Sequence, residues 1–562
     1  MIAGPGQTQK YALFGEVIIP PDHYYSAPNL FFNKDFSNLY LGRIYSSAWG
    51  WSQYTTFTGQ HTIWATAVNT SVWDTLTAAA TIDTAGSQAL ALRIHAGGRL
   101  KVKVGKDLTC TGATEINEPQ GLWIASDASG TASFIDNGTI TYNTGGTARV
   151  DRYFTPGFWH FWSMAVGSST SAPFYSFYMR YYDEPTHQFQ QITTTGVPLH
   201  PTQGYSVWAN GTNTTAGVSG ALNTGTMTTQ PLTSTLIGAS VYDGYNMIGN
   251  PYPSSVDWTS AGYSRTNTEP VKYSYNVNQY QTYNAQTGES TNGGDKYVKP
   301  EQGFFVHVTD NTTGSVSVNN TARLHLTGSY NKKSSGISDM LILTASANGI
   351  ADETHIVFNS DATVNFDPDF DAYKMTGTSQ APNLYSRLPG NIQAAVNWLP
   401  RTGASQLVPL GFTCGPSGVY HITASNLGSF NSATQIFLED LKENNTQNLV
   451  TDPDYHFTYA AGESPNRFLL HFSSPTLDVN DQQPEKFQVY AWEDAVYVKM
   501  LTTGEVHGTV ALYDLAGKMV FSGGLANLRL NKFRPALVRG LYLVKVQTSR
   551  SVVTDKIFIN QQ

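Results

Sequence analysis

Gly508-Thr-Val-Ala-Leu-Tyr-Asp-Leu-Ala-Gly-Lys-Met-Val-Phe521 is the stretch on which the fold class turns. It is a short run of β-branched and aromatic residues with period-two alternation, interrupted by the turn pair Ala516-Gly517 and resumed beyond it. The same rhythm surrounds it in Lys486-Phe-Gln-Val-Tyr490, Ala495-Val-Tyr-Val-Lys499, Arg539-Gly-Leu-Tyr-Leu-Val-Lys-Val546 and Asp555-Lys-Ile-Phe-Ile559. Thr503-Gly504, Gly523-Gly524 and Gly540 punctuate these runs as turn residues. The pattern predicts a small antiparallel sandwich of about seven strands over residues 485–562.

The order and wording of these strands resemble the C-terminal sorting domain of Bacteroidota type IX secretion substrates. The resemblance rests on Val510-Ala-Leu-Tyr-Asp-Leu-Ala-Gly-Lys518, on Gly540-Leu-Tyr-Leu-Val-Lys-Val546 and on the late Lys556-Ile-Phe-Ile559. Within it, Asp514, Gly517, Lys518, Gly540, Tyr542, Lys545 and Lys556 stand for the sorting signal. An unrelated Ig-like domain would show the same strand rhythm. The resemblance implies export by the type IX translocon with its outer-membrane shuttle, a secreted or cell-surface location, and removal of this domain after export. Such cargo carries a signal peptide, whereas Met1-Ile-Ala-Gly-Pro-Gly lacks the basic and apolar regions of one. The expectation is therefore a leader already removed, or a chain that starts inside a longer precursor.

Composition agrees with an extracellular β-protein. Of 562 residues only 13% are charged, and 12% are aromatic. Ser, Thr, Asn, Gly and Tyr supply the polarity, as strands and tight turns favour. A net charge of −8 argues against nucleic acid, which needs a basic surface to displace counterions. No apolar run reaches the length of a transmembrane helix, and no basic amphipathic helix is present. Cys110 reads as a small buried hydrophobe on a strand, and a bridge to Cys414 would need an oxidising compartment. No Cys/His spacing resembles a zinc site.

Six segments follow from these signals. Residues 1–88 are aromatic-rich and β-like, without a further assignment. Residues 89–150 show short strands closed by Gly turns, with Leu100, Val102 and Val104 on one face, and predict a few coils of a β-helix or a tight meander. Residues 151–336 contain an internal echo. Gly157-Phe-Trp-His-Phe-Trp-Ser-Met leads to Pro201-Thr-Gln-Gly-Tyr, and Gly244-Tyr-Asn-Met-Ile-Gly-Asn-Pro-Tyr-Pro leads to Pro300-Glu-Gln-Gly-Phe. The echo predicts a sandwich of two related halves, with Gly204 and Gly303 placed where φ turns positive. Residues 337–474 predict another β-sandwich, 475–484 a polar linker, and 485–562 the terminal domain.

Few constellations promise chemistry. Asp367, Asp369 and Asp371 alternate on an extended loop and are candidate calcium ligands, with Asp352 and Glu353 nearby in sequence. The competing reading is a turn whose carboxylates bond their own backbone amides. Asp183-Glu184-Pro185 reads as a solvated turn, because neighbouring strand residues point to opposite faces. His160 should face away from Trp159 and Phe161 and reads as a hydrogen-bonded or exposed histidine. Nucleophile elbows, phosphate loops and zincin motifs are missing from the sequence. Trp49, Trp51, Trp64, Trp73, Trp208 and Trp258 could stack on sugar rings, although tryptophans are more often core.

The resulting expectation is an all-β, multidomain protein with a β-helix-like segment, β-sandwiches and an Ig-like C-terminal domain. Its expected function is that of a non-catalytic cell-surface protein of adhesin or structural type. The alternative is a carbohydrate-binding or polysaccharide-degrading extracellular protein. A β-helix lyase would draw on Arg99, Lys101 and Lys103, but carboxylates around them are sparse. No cofactor is expected beyond the candidate calcium.

Overall fold

The computed structural model describes most of residues 81–559; the stretches 237–241, 327–336, 402–404, 474–486 and 502–506 and a few positions of one to three residues lie outside the description, and before residue 81 only the backbone of separate strands is described. Among the described residues, regular structure is strand or short 3-10 turn, and α-helix is absent. Two compact units form. One comprises Met1–Pro400 with Thr413–Ile422 and Phe457–Glu463, the other Arg401–Phe412, Thr423–His456 and Ser464–Gln562.

The first unit opens as a parallel β-helix. Strands Trp73–Leu76, Ala91–Ile94, Thr114–Ile116 and Ile140–Tyr142 stack in parallel on one wall. Ala79–Ile82, Arg99–Val102, Leu122–Ile124 and Ala148–Tyr153 form a second wall. Ser87–Ala89, Asp107–Cys110 and Ser133–Asp136 form the third. The coil rhythm expected from residue 89 also takes in strands upstream, since Tyr54–Phe57 and His61–Trp64 pair in parallel with the next coil. The registers put like on like. Ile82, Val102, Ile124 and Val150 make one ladder and Leu100, Leu122 and Ala148 another, each residue no more than 1% exposed. Burying each branched side chain contributes roughly 1.5–3 kcal/mol, and the parallel register repeats that gain in every coil. Outward positions stack as well: Lys101 Nζ sits 3.9 Å over the Trp123 ring, and Arg93 meets Glu115 at 2.6 Å.

The coil ends where Ala148–Tyr153 pairs antiparallel with Thr215–Gly220, a strand of the following segment. This closes an edge that would otherwise template further strands. Cys110 is buried in the coil with its sulfur 3.6 Å from Gly112 O, Cys414 lies elsewhere in the unit, and the two form no disulfide.

The internal echo folds as two interlocked halves. In the first, strand Trp159–Trp162 pairs with Tyr205–Ala209; in the second, Tyr245–Gly249 pairs with Gly303–His307. Each turn then crosses to the other half. Trp162 bridges Gln302 while Ile248 bridges Gln203. Ser163 N donates to Glu301 O at 2.8 Å, and Gly249 N donates to Thr202 O at 3.0 Å. The echo in sequence is thus a local pseudo-twofold axis in space. As expected, both turns enter core strands, with Tyr205 and Val207 buried in one half and Phe304 and Val306 in the other.

The reason for glycine in these turns differs from the expectation. Gly204 and Gly303 do not have positive φ; the left-handed residue is Glu301, at φ 54°. Close approach across the axis excludes a side chain instead. A Cβ on Gly204 would lie 2.6 Å from Ile248 O, and one on Gly249 only 2.1 Å from Ser163 Cβ.

Further along the same unit, Met340–Ala347 and Ile350–Phe358 form a hairpin, and the latter runs parallel to Ile392–Leu399. Tyr245, Tyr273, Phe305, Val357, Val396 and Trp398 share one core there.

The second unit contains the C-terminal sandwich. Phe487–Trp492, Ala495–Met500 and Leu530–Phe533 make one sheet. Gly508–Tyr513, Met519–Leu525, Gly540–Thr548 and Val552–Ile559 make the other. Val498, Val510, Leu512, Val544, Val546 and Ile557 fill the space between them. The sandwich does not stand alone in its unit. Tyr490, Ala495 and Tyr497 pack with Leu469, and Glu439 accepts hydrogen bonds from Tyr490 Oη at 3.0 Å and His471 Nε2 at 2.6 Å, with Lys499 Nζ 3.4 Å away.

Candidate functional site

The residues named from the sorting resemblance build the turn and strands of the C-terminal sandwich. Asp514 Oδ1 accepts from Ala516 N at 3.0 Å and Lys518 N at 2.9 Å, while Gly517 takes φ 79°, so Asp514 and Gly517 together close the hairpin. Gly540 opens its strand, Tyr542 is buried with its hydroxyl donated to Val538 O, and Lys545 lies opposite Ala511. Lys518 and Lys556 are exposed.

The three aspartates do not converge. Asp371 is buried and accepts from Asp367 N at 2.7 Å and Trp398 N at 2.6 Å. Asp367 accepts from Thr363 N and Thr363 Oγ1, and Asp369 is exposed. Burial pushes the Asp371 carboxyl up to about 7 despite its two amide donors. These contacts are those of the turn reading, with two of the three carboxylates engaged by the loop itself.

Glu184 departs from the solvated turn expected of it. It is buried and accepts from Thr233 Oγ1 at 2.6 Å, Thr235 N at 2.7 Å, Thr235 Oγ1 at 3.0 Å and Gly244 N at 3.1 Å. Burial works to raise its pKa, but these donors together hold it below the usual carboxylate range. Asp352 is likewise buried and paired with Lys374 at 2.5 Å. His160 behaves as expected: its Nε2 lies 3.0 Å from Thr155 O, its ring meets the edge of Phe154, and burial lowers its pKa.

The side chains of Trp49, Trp51, Trp64 and Trp73 lie outside the described residues. Trp258 is core, its indole N–H donated to Pro270 O. Trp208, the other described member of the set, stands on a partly open sheet face, and that face forms a shelf. The sheet runs Trp159–Trp162, Tyr205–Ala209, Phe177–Asp183, Gln188–Ile192. Its inner face carries Trp162, Tyr205, Val207, Phe177 and Met179 into the core shared with the β-helix. Pleating sends the alternate residues outward.

Register aligns those outward residues into rows. Trp159, Trp208 and Tyr178 form the first, and Phe161, Ser206, Arg180 and Gln191 the second. The second row is walled by the hairpin of Val271–Asn276 and Gln279–Asn284, whose Tyr275 and Tyr280 rings pack on Phe161 at 5.3 and 6.2 Å. The first row stays open: Tyr178 is 60% exposed, and Trp159 and Trp208 are half-buried. Tyr178 and Trp208 meet at 5.4 Å between ring centroids. Arg180 stands at the step between rows, its guanidinium 3.6 Å over Trp159 and 4.1 Å over Phe189.

Arg180 covers one face of the Trp159 ring, and the rings of Tyr178 and Trp208 beside it offer apolar faces that match the C–H faces of a sugar ring. Sequence reading found Trp208 but not Trp159, Tyr178 or Arg180 as its partners. The alternation in Phe177-Tyr-Met-Arg-Tyr-Tyr-Asp183 was the available signal, and it marks two faces without saying which is covered.

No curated protein matches the chain. Among solved structures, the Faecalibacterium prausnitzii β-glucuronidase is 12% identical with a TM-score of 0.12, the match covering 73% of this chain and 46% of that one. The apo β-glucuronidase of Ruminococcus gnavus is 10% identical with a TM-score of 0.11, over 73% and 46%. The match thus spans about half the length of those enzymes, and likeness at this level carries no weight for activity. A family model matches in two overlapping stretches, residues 51–269 and 258–472, which cover the β-helix, the interlocked halves and the strands after them. The chain belongs to the family described as Domain of unknown function (DUF8693).

Proposed function

We propose that this protein is a non-catalytic extracellular protein of adhesin type that holds carbohydrate on the shelf of Trp159, Trp208 and Tyr178. The observation that carries the proposal is the open first row: aromatic rings from three strands side by side on a rigid sheet, next to a covered second row. Rings held by a sheet lose little entropy on stacking against a sugar, which favours binding. Of the acids singled out above, Glu184, Asp352 and Asp371 are buried and bonded to donors of the fold, which gives them a structural role. In the proposal, type IX secretion carries the protein to the cell surface, through its translocon and outer-membrane shuttle, with the C-terminal sandwich as the address. Support for that part comes from the sequence resemblance and from the matching seven-strand form of residues 487–559.

A glycan array probed with the full chain tests the binding function. Wild type should bind a restricted set of glycans, and Trp208→Ala should lose that binding while keeping the wild-type melting profile. Absence of binding to any glycan would overturn the carbohydrate reading. Removal of residues 485–562 in the host should leave the protein in the periplasm; unchanged surface delivery would refute the export reading.

A further inference from the structure

Resting on the carbohydrate reading of the shelf, we infer that its ligand is a carboxylated saccharide, such as a uronic-acid glycan, and that Arg180 receives the sugar carboxylate. The inference starts from an incomplete set of partners around one cation. Among the described residues, Arg180 makes no ion pair. Its Nε reaches Ser206 Oγ at 3.3 Å, and its terminal nitrogens have no hydrogen-bond acceptor. Its other contacts are the Trp159 and Phe189 rings. Arg93, Arg149 and Arg323 of this unit are matched to Glu115, Asp151 and Asp136, and Arg152 and Arg265, which like Arg180 have no ion pair among the described residues, direct a terminal nitrogen to the backbone carbonyls of Pro300 and Trp258.

A guanidinium taken partly out of water without a counter-charge is unfavourable, and burial lowers its pKa here. The cost is offset when an anion arrives. Rings against the guanidinium fix its plane, and a fixed fork suits the planar carboxylate, which it can bind through two parallel N–H···O bonds. Arg180 lies opposite Ser206, one row from Trp208 and Tyr178, so a pyranose stacked on the open row has its substituents beside the guanidinium. The chain's net charge of −8 would repel an acidic polymer at long range, so a local cation is needed to select one.

Isothermal titration of the full chain with galacturonate, glucuronate and mannuronate oligosaccharides, each beside its carboxyl-reduced neutral counterpart, separates the outcomes. Wild type should prefer at least one acidic member over its neutral form by roughly tenfold or more, the size of one charge-assisted pair. Arg180→Ala should erase the preference while leaving residual binding of both forms, and Arg180→Lys should restore only part of it. Trp208→Ala should abolish binding of both. Equal binding of acidic and neutral forms by wild type, or a preference that survives Arg180→Ala, would overturn the carboxylate inference and leave the carbohydrate reading standing. No binding of either form would overturn the carboxylate inference, and only silence on the wider glycan array would overturn the carbohydrate reading as well. Amide hydrogen exchange across Phe177–Asp183 and Tyr205–Ala209 should be unchanged in the Arg180 variants, which separates lost recognition from lost folding.

Discussion

Gly249→Ala probes the pseudo-twofold axis directly. The new Cβ would sit 2.1 Å from Ser163 Cβ and 2.5 Å from Ser163 Oγ, and both residues are buried. Neither can swing away freely. Gly249 N is bonded to Thr202 O, Ser163 N to Glu301 O, and Ser163 Oγ to Pro201 O at 2.6 Å. Overpacking a site this rigid costs about 3 kcal/mol, at the upper end for added methyl groups. Hydrogen exchange reads that loss locally. Opening of the Gly249 and Ser163 amides should become easier by about 3 kcal/mol, which corresponds to roughly hundredfold faster exchange. The β-helix amides of Leu100 and Leu122 should keep their protection. Ser163→Gly removes the opposing Cβ at the cost of one hydrogen bond, about 1 kcal/mol. Placed together, the two changes should destabilise by about 2 kcal/mol less than the sum of the single changes. Additive effects, or wild-type exchange in Gly249→Ala, would refute the close-packed axis.

Glu301 should set a pH dependence. It is buried, its Oε1 accepts from Trp162 Nε1 at 3.2 Å, and burial pushes its pKa up to about 8 from the usual 4.5. Its folded pKa lies above the unfolded one, so its contribution is fully present below pH 4.5 and is lost as pH rises toward 8; Glu301→Gln should flatten the fall in melting temperature across that window. In the second unit, burial raises the Glu439 pKa, but His471, Lys499 and Tyr490 outweigh it and hold the carboxyl below its usual 4.5. That stabilisation is present above pH 4.5 and fades as the pH falls below it; Lys499→Met should remove part of it and cost about 3 kcal/mol at neutral pH, read by denaturant unfolding. Deleting residues 485–562 should speed exchange in Phe468–Ser473, since Leu469 loses the cover of Tyr490 and Tyr497; unchanged protection would contradict that packing. Calcium should leave the melting temperature unmoved and Asp369→Asn should be neutral, because Asp367 and Asp371 are engaged by Thr363, Trp398 and the loop backbone; a calcium-dependent rise would reverse the assignment.

The sequence by itself determined what depends on near neighbours. Period-two alternation in Val510–Leu512 and Tyr542–Val546 dictates strands with one buried face, and Asp514 with Gly517 dictates the turn between two of them. Gly-closed runs with apolar residues in phase narrowed residues 89–150 to β-helix coils or a tight meander, and the parallel register decided for the coils. Only the tertiary structure decided what depends on pairing across long separations. The echoed turns were visible as repeats, but their exchange between halves, and the contact of Gly249 with Ser163, arises because each turn bonds the strand of the other copy. Glu184 looked exposed because its four donors come from residues about fifty positions away or more. The shelf follows the same logic. Trp159, Tyr178 and Trp208 become neighbours only through strand register, and among the described residues no strand packed against Arg180 supplies a counter-charge. Alternation tells which residues share a face; the partner chosen by that face is a nonlocal free-energy balance that a single strand does not encode.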